Sequence, residues 1–379
     1  MIERLVKQQV MTRLSASPAV ALLGPRQCGK TTLARSLGTA YFDLEQEPDR
    51  LRLDLEWERL VAGKDLVILD EAQAWPEVFN RLRGAIDADR KRRGRFLLLG
   101  SVSPALMVKV SQSLAGRLSL VELTPFLLPE LAADQQKRLW MCGGYPDGGI
   151  LEPQQYPRWG KDYLSILTQR DLPIWGLPAK PQTTSRLLRM LAAWHGQTWN
   201  ASQIGQSMGL DSKTVSSYLD YLVGAFLIRR LQPYQANIRK RLVKSPKVYW
   251  QDSGLLHSLL NVADEKALLS QPWVGASWEG FVIEQTLGVL SARGTHVDAY
   301  YFRTSDQQEL DLVLDFGGEL WAVEVKLTSS PSSEDMRRLN RTADLIKAKR
   351  RFLVSKTSQA VGDADRVSCN LDTFLSYLP

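Results

Sequence analysis

Disulfides and zinc-binding thiolate clusters are the first things this chain lacks. It has three cysteines in 379 residues. Cys28, Cys142 and Cys369 stand far apart, which excludes a disulfide framework and leaves reduced thiols as the expectation. No uninterrupted apolar run reaches the length of a bilayer span, so no transmembrane helix is expected. The opening residues Met1-Ile2-Glu3-Arg4-Leu5-Val6-Lys7 lack a secretory apolar stretch. A cytoplasmic protein without membrane contact is therefore expected. Disorder is excluded by an apolar content of 44% with 23% charged residues. The length exceeds one ordinary core and fits two or three domains.

The formal charge of +7 permits a polyanionic partner without requiring one. Three basic runs carry much of it: Arg90-Lys91-Arg92-Arg93-Gly94-Arg95, Arg239-Lys240-Arg241 with Lys244 and Lys247, and Lys347-Ala348-Lys349-Arg350-Arg351. Such runs are more often solvated faces than binding sites.

Residues Gly24, Pro25, Arg26, Gln27, Cys28, Gly29, Lys30 and Thr31 read G-x-x-x-x-G-K-T. They follow the apolar run Ala19 to Leu23, and Thr32 opens a helix-compatible stretch. Glycines let the backbone curl so that N–H groups face phosphates, the helix N-terminus adds partial positive charge, and Lys30 reaches the β- and γ-phosphates. Thr31 can place its hydroxyl on magnesium. The expected ligands are ATP and magnesium, bound at residues 24–32.

Forty residues past Lys30, Leu66 to Leu69 form an apolar strand ending in Asp70 and Glu71. A parallel strand delivers its C-terminal residue to the ligand edge, where Asp70 can hold the magnesium shell and Glu71 can polarise the attacking water. The strand Phe96 to Leu99 ends at Ser101, a candidate polar sensor of the γ-phosphate or a simple strand-end cap. Arg117 precedes the strand Leu118 to Leu123. It is a candidate finger reaching a neighbouring subunit's nucleotide, with a surface ion pair as the equal alternative. Apolar runs alternating with helical stretches argue for an α/β fold with a parallel sheet and crossover helices.

After the proline-rich break at 175–181, Asn200 to Leu210 reads as a helix closed by Gly209, and Asp211 to Leu222 as a second capped helix. Two helices with a tight glycine turn make a helix-turn-helix, and Phe226 to Leu231 with Lys247 to Trp250 suit a β-hairpin wing. Ser212, Lys213, Ser216 and Ser217 are the candidate groove-facing side chains on DNA, with Arg239, Lys240 and Arg241 on phosphates. Side chains that read bases are sparse there.

In the last third, Glu309 to Leu314 and Leu320 to Lys326 read as a hairpin. Alternation puts Glu309 and Asp311 on one face, and Glu324 and Lys326 on one face. Asp311 and Glu324 could hold a divalent metal while Lys326 orients water, the arrangement of metal-assisted phosphodiester cleavage. Glu279 and Glu284 offer a further carboxylate. They lie about 140 degrees apart on a helix, so only one can join, and Glu279 is favoured. The competing reading is a hairpin with ordinary ion pairs.

Taken in order, the phosphate loop, the Leu69-Asp70-Glu71 strand end, Gly100-Ser101, Ala115-Gly116-Arg117, the helix-turn-helix, Tyr249-Trp250-Gln251-Asp252-Ser253-Gly254-Leu255 and the Glu-x-Asp and Glu-x-Lys pairs resemble one family across nearly the whole chain. The family is that of bacterial and archaeal AAA-type ATPases with a C-terminal domain of unknown function. The resemblance implies an AAA-type ATPase core, a winged helix and a restriction-endonuclease-like α/β domain similar to the PD-(D/E)xK nucleases. It assigns Lys30, Thr31, Asp70 and Glu71 to the nucleotide, Ser101 to sensing, Arg117 to the finger, and Asp311, Glu324 and Lys326 to a nuclease-like site. The expected domains are 1–130 for the ATPase core, 131–180 for a helical connector, 181–250 for the winged helix-turn-helix and 251–379 for the nuclease-like domain.

Two functional classes follow. The first is a DNA-dependent ATP hydrolase, oligomeric when active, of helicase or branch-migration type on branched DNA, with nicking by the C-terminal domain. The second is a nucleotide-controlled switch whose winged helix and inactive nuclease-like domain hold DNA or an unidentified protein partner.

Overall fold

Short runs of alanine, valine, leucine and isoleucine, apolar on both faces, form strands only where helices can cover both sides. The computed structural model describes residues 2–102, 114–235 and 242–379. Contacts divide the chain into two units, one of Met1–Phe126 with Gly224–Phe226 and Ser291–Gly294, the other of Leu127–Val223, Leu227–Leu290 and Thr295–Pro379.

The first unit runs α1 (Val6–Ala16), β1 (Ala19–Leu23), α2 (Lys30–Arg35), β2 (Ala40–Asp43), α3 (Glu47–Ala62), β3 (Val67–Asp70), α4 (Glu77–Ala88), β4 (Phe96–Gly100) and β5 (Leu118–Glu122). Its sheet is ordered β2-β3-β4-β1-β5, and every pairing is parallel. This is the expected α/β fold. Because β3 and β1 both flank β4, the segments after all three strands emerge at one edge of the sheet.

The first basic run is partly consumed by this packing. Arg95 is buried and donates to the Ala85 carbonyl at 2.6 Å, while Arg92 donates to Val61 O at 2.8 Å. The third run is similar. Arg351 pairs with Asp344, Lys349 with Glu319, and Arg350 lies 4.5 Å over the Trp321 ring. These cations serve the fold.

The second unit contains α5 (Ala133–Cys142), α6 (Arg158–Ile166), α7 (Pro181–Ala193), α8 (Ala201–Met208), α9 (Ser212–Gly224), β6 (Ile228–Pro233), β7 (Lys247–Trp250), α10 (Ser253–Leu259), α11 (Val274–Arg293), β8 (Asp298–Arg303), β9 (Glu309–Asp315), β10 (Leu320–Val325), α12 (Ser333–Leu345), β11 (Arg350–Ser355), β12 (Val361–Gly362), β13 (Arg366–Asn370) and α13 (Leu371–Tyr377). Helices α8 and α9 follow one another across the turn at Gly209 to Asp211. Asn200 caps α8 by accepting from Gln203 N–H, Gly209 ends it at φ 69°, and Asp211 caps α9 through Thr214 N–H at 2.9 Å.

Strands β6 and β7 pair antiparallel, as a wing would, yet they also continue the C-terminal sheet. The order is β12-β13-β11-β10-β9-β8-β6-β7, with Gln232 and Pro233 of β6 paired parallel to Tyr300 and Tyr301 of β8. Strands of the expected segments 181–250 and 251–379 thus share one sheet. The physical reason is edge pairing. The outer ladder groups of β6 find partners on β8.

The segment around Asp252 shows how tightly α10 docks. Its carboxyl accepts from Leu255 N–H at 2.9 Å as helix cap and from Gly144 N–H at 2.8 Å. A Cβ on Gly254 would lie 1.9 Å from the Cys142 carbonyl oxygen, so only glycine permits this approach. Burial raises the Asp252 carboxyl to about 6, against the opposing pull of the Gly144, Leu255 and Gly254 N–H groups. A carboxyl raised above its unfolded value of about 4 contributes stability below that pH and loses it as pH climbs to the folded value. Urea unfolding of the wild type should therefore show an Asp252-dependent fall in stability between about pH 4 and 6, on the order of 2 to 3 kcal/mol. Asp252→Asn should flatten that slope, and an unchanged slope would contradict the assignment.

Candidate functional site

The phosphate loop leaves β1 and bends through two left-handed residues, Gln27 at φ 60° and Gly29 at φ 99°. Such alternation turns successive N–H groups inward, making a concave anion cradle at the start of α2. Gly24 is equally constrained. A Cβ there would meet the Leu123 carbonyl oxygen at 2.1 Å. Lys30 is buried, and its ammonium donates to Gly24 O at 2.9 Å, Pro25 O at 2.8 Å and Ser101 Oγ at 3.2 Å. The loop's underside is tied down by Arg4. That guanidinium donates to Cys28 O at 2.9 Å and Thr124 O at 2.7 Å and stacks 4.6 Å over Phe126. Burial raises the Cys28 thiol, which keeps it protonated and unreactive. Arg26 pairs with Glu45 at 2.9 Å, and Thr32 is exposed.

The three strand ends converge. Thr31 Oγ1 donates to Asp70 Oδ2 at 2.6 Å, and the Tyr41 hydroxyl donates to the same oxygen at 2.7 Å. Glu71 sits in the left-handed region, φ 46° and ψ 47°, a strain on the order of 1 to 3 kcal/mol for a non-glycine residue. That turn swings its carboxylate between Ser101 Oγ, which donates to Oε1 at 2.7 Å, and Gln73, which donates to Oε2. Lys30, Thr31, Asp70, Glu71 and Ser101 thus form one connected network across β1, β3 and β4. Magnesium fits here, because a threonine hydroxyl and a carboxylate oxygen already meet. When bound it would neutralise phosphate charge.

Arg117 is not part of that network. Its guanidinium makes a bidentate pair with Asp87, Nε to Oδ1 at 2.8 Å and Nη2 to Oδ2 at 2.9 Å. This pairing holds the Asp87 carboxyl down at about 2. Of the two alternatives for Arg117, the chain forms the ion pair.

In the second unit Ser212, Lys213 and Ser217 are exposed on α9, and Ser216 is half-buried. Arg239, Lys240 and Arg241 lie outside the described residues.

Asp311, Glu324 and Glu279 approach one another across β9, β10 and α11, and cations of the chain stand among them. Lys247 of β7, with a side chain only 4% exposed, donates to Glu279 Oε1 at 2.9 Å and Glu309 Oε1 at 2.6 Å. The Tyr249 hydroxyl donates to the same Glu279 oxygen at 2.5 Å. Lys326 donates to Glu324 at 2.6 Å, and Asp311 Oδ2 accepts the Val325 N–H at 2.7 Å. Among the described residues no group of three or more His, Cys, Asp or Glu is arranged to hold a metal ion. Lys247 thus takes up Glu279 and Glu309, while Asp311 and Glu324 keep Val325 N–H and Lys326 as partners. Burial, then Glu324 and Glu279, push the Asp311 carboxyl well above the usual carboxylate range. Glu284 points elsewhere and pairs with Arg229 at 2.5 Å.

Tyr41, Gln73, Arg4 and Lys247 were missed as site residues by the sequence. Only Lys247 gave a signal, a lysine opening the apolar strand Lys247-Val248-Tyr249-Trp250.

Residues 16–132 match an AAA domain family, residues 133–266 a domain of unknown function (DUF8612) and residues 274–374 a second one (DUF4143). Uncharacterized proteins Rv2008c of Mycobacterium tuberculosis and Mb2031c of Mycobacterium bovis are each 38% identical to this chain, over 96% of it and 85% of their own length. Among solved structures, a variant of Thermotoga maritima RuvB aligns at 17% identity over 59% of this chain and 88% of its own, with a TM-score of 0.30. Protein VC1899 from Vibrio cholerae aligns at 13% identity over 94% and 95%, with a TM-score of 0.21. Overlaps that low carry no weight for fold or function.

The position of Tyr41 yields a test. Second-sphere partners that orient a metal-binding carboxylate are worth about 10- to 100-fold in metal affinity or activity. In magnesium titrations of nucleotide hydrolysis, Tyr41→Phe should raise the half-saturating magnesium concentration about tenfold. An unchanged magnesium requirement would remove Tyr41 from the site.

Proposed function

We propose, for a chain that belongs to the family of these mycobacterial proteins, that the first unit hydrolyses ATP with magnesium and couples turnover to DNA held by the second. The observation that carries the reading is the convergence of Lys30, Thr31, Asp70, Glu71 and Ser101 at the C-terminal edge of one parallel sheet. In this scheme the N–H groups of residues 24–32 and Lys30 bind the phosphates. Thr31 and Asp70 orient the magnesium shell, and Glu71 takes the proton of the attacking water while Ser101 senses the γ-phosphate. Arg117 would act as a finger on a neighbouring copy only after leaving Asp87.

DNA contact is assigned to the winged helix-turn-helix, with Ser212, Lys213, Ser216 and Ser217 toward the groove and Arg239, Lys240 and Arg241 toward phosphates. The domain limits proposed are 1–130, 131–180, 181–250 and 251–379, and the active form is a homo-oligomer in the cytoplasm. A motor of helicase or branch-migration type is the leading form.

One observation favours the second form, a nucleotide-controlled switch. Lys247 pairs with Glu279 and Glu309 beside Asp311 and Glu324, the carboxylates that cleavage chemistry would use for a metal. On that form the nuclease-like domain binds DNA or a protein partner and does not cut.

Steady-state ATP hydrolysis measured with single-stranded, duplex and four-way-junction DNA separates the forms. A motor gives strong stimulation by one DNA form, with Glu71→Gln lowering turnover about 10²- to 10⁴-fold as expected for loss of a general base. A slow rate indifferent to all three points to the switch. Turnover untouched by Glu71→Gln would overturn the assignment of the site.

A further inference from the structure

Carboxylates gather in the second unit on three elements distant in sequence: Glu279 on α11, Glu309 and Asp311 on β9, and Glu324 on β10. Like charges brought together away from water repel unless a cation sits among them. In related chemistry that cation is a divalent metal with oxygen ligands at about 2.0 to 2.6 Å. Here the centre is occupied by the chain itself. Lys247 Nζ stands 2.9 Å from Glu279 Oε1 and 2.6 Å from Glu309 Oε1. The rings of Tyr301 and Tyr249 flank the ammonium, with centroids at 5.5 Å and 5.9 Å. Tyr249 also donates to the Glu279 oxygen that Lys247 uses, fixing that carboxylate from a second side. Lys326 and Arg303 complete the pairing, on Glu324 at 2.6 Å and Glu309 at 3.4 Å.

An ammonium group and a divalent ion cannot share this space. Both would draw on the same two carboxylate oxygens, and they would repel at contact distance inside a poorly screened interior. We infer that Lys247 is a built-in counter-ion standing in the place of a divalent cation, so that the cluster is metal-independent, and that removing its charge uncovers a divalent-cation site formed by Glu279 and Glu309. The centre then has no metal-activated water and does not cleave phosphodiesters. Its work is mechanical. It ties β7, the second strand of the hairpin that follows the helix-turn-helix, to α11 and β9. The inference does not rest on ATP hydrolysis, and either can fail without the other.

The test is manganese binding to the full chain without nucleotide, followed by electron paramagnetic resonance, in an Asp70→Asn background that silences the nucleotide site. The parent should bind no manganese that Asp311→Asn abolishes. Adding Lys247→Met should create one bound manganese per chain, lost again on further substitution Glu309→Gln. Manganese in the parent that disappears with Asp311→Asn would overturn the inference, as would a folded Lys247→Met protein that binds none. If circular dichroism shows that Lys247→Met does not fold, the parent and its Asp311→Asn derivative still decide the matter.

Discussion

A lysine ammonium buried from water is tolerated only where carboxylates replace its hydration, and that requirement organises the second unit. Lys247 belongs to β7, and its partners to α11 and β9, so a single charged group fastens a hairpin, a long helix and a sheet. Breaking one member of such a cluster leaves a buried charge uncompensated, which costs about 3 to 5 kcal/mol where burial is complete. The cluster therefore adds a charged constraint on β7 to that of apolar packing.

The first unit solves the opposite problem. Its carboxylates Asp70 and Glu71 are held by neutral donors, Thr31, Tyr41, Ser101 and Gln73, and Lys30 is turned toward loop carbonyls and Ser101. Neutral donors position a carboxylate without cancelling its charge, so its attraction for a cation survives. The two centres differ in this one respect. Asp70 is oriented and open to a metal's charge, while Glu279 and Glu309 already share one ammonium group.

The sequence made the first of these legible because its chemistry is local. Eight consecutive residues make the loop, and Asp70, Glu71 and Ser101 each end an apolar run whose strand type follows from composition. Tyr41 was hidden because its role depends on β2 lying beside β3, which is tertiary information. The two helices α8 and α9 were legible through their caps, Asn200, Gly209 and Asp211. The second centre was half legible. Alternation placed Glu309 with Asp311 and Glu324 with Lys326, and helical spacing separated Glu279 from Glu284. What spacing could not reveal was a cation arriving from Lys247, more than 60 residues before Glu309. For Arg117 the sequence offered an ion pair as one alternative but could not name Asp87 as its partner, for the same reason.

The two carboxylate centres differ in their demand for metal, and a count of bound manganese addresses that most directly. For the wild-type chain with a non-hydrolysable ATP analogue, one manganese ion per chain is expected, absent when the nucleotide is withheld. A second ion that stays bound without nucleotide, or no ion with it, would contradict that difference.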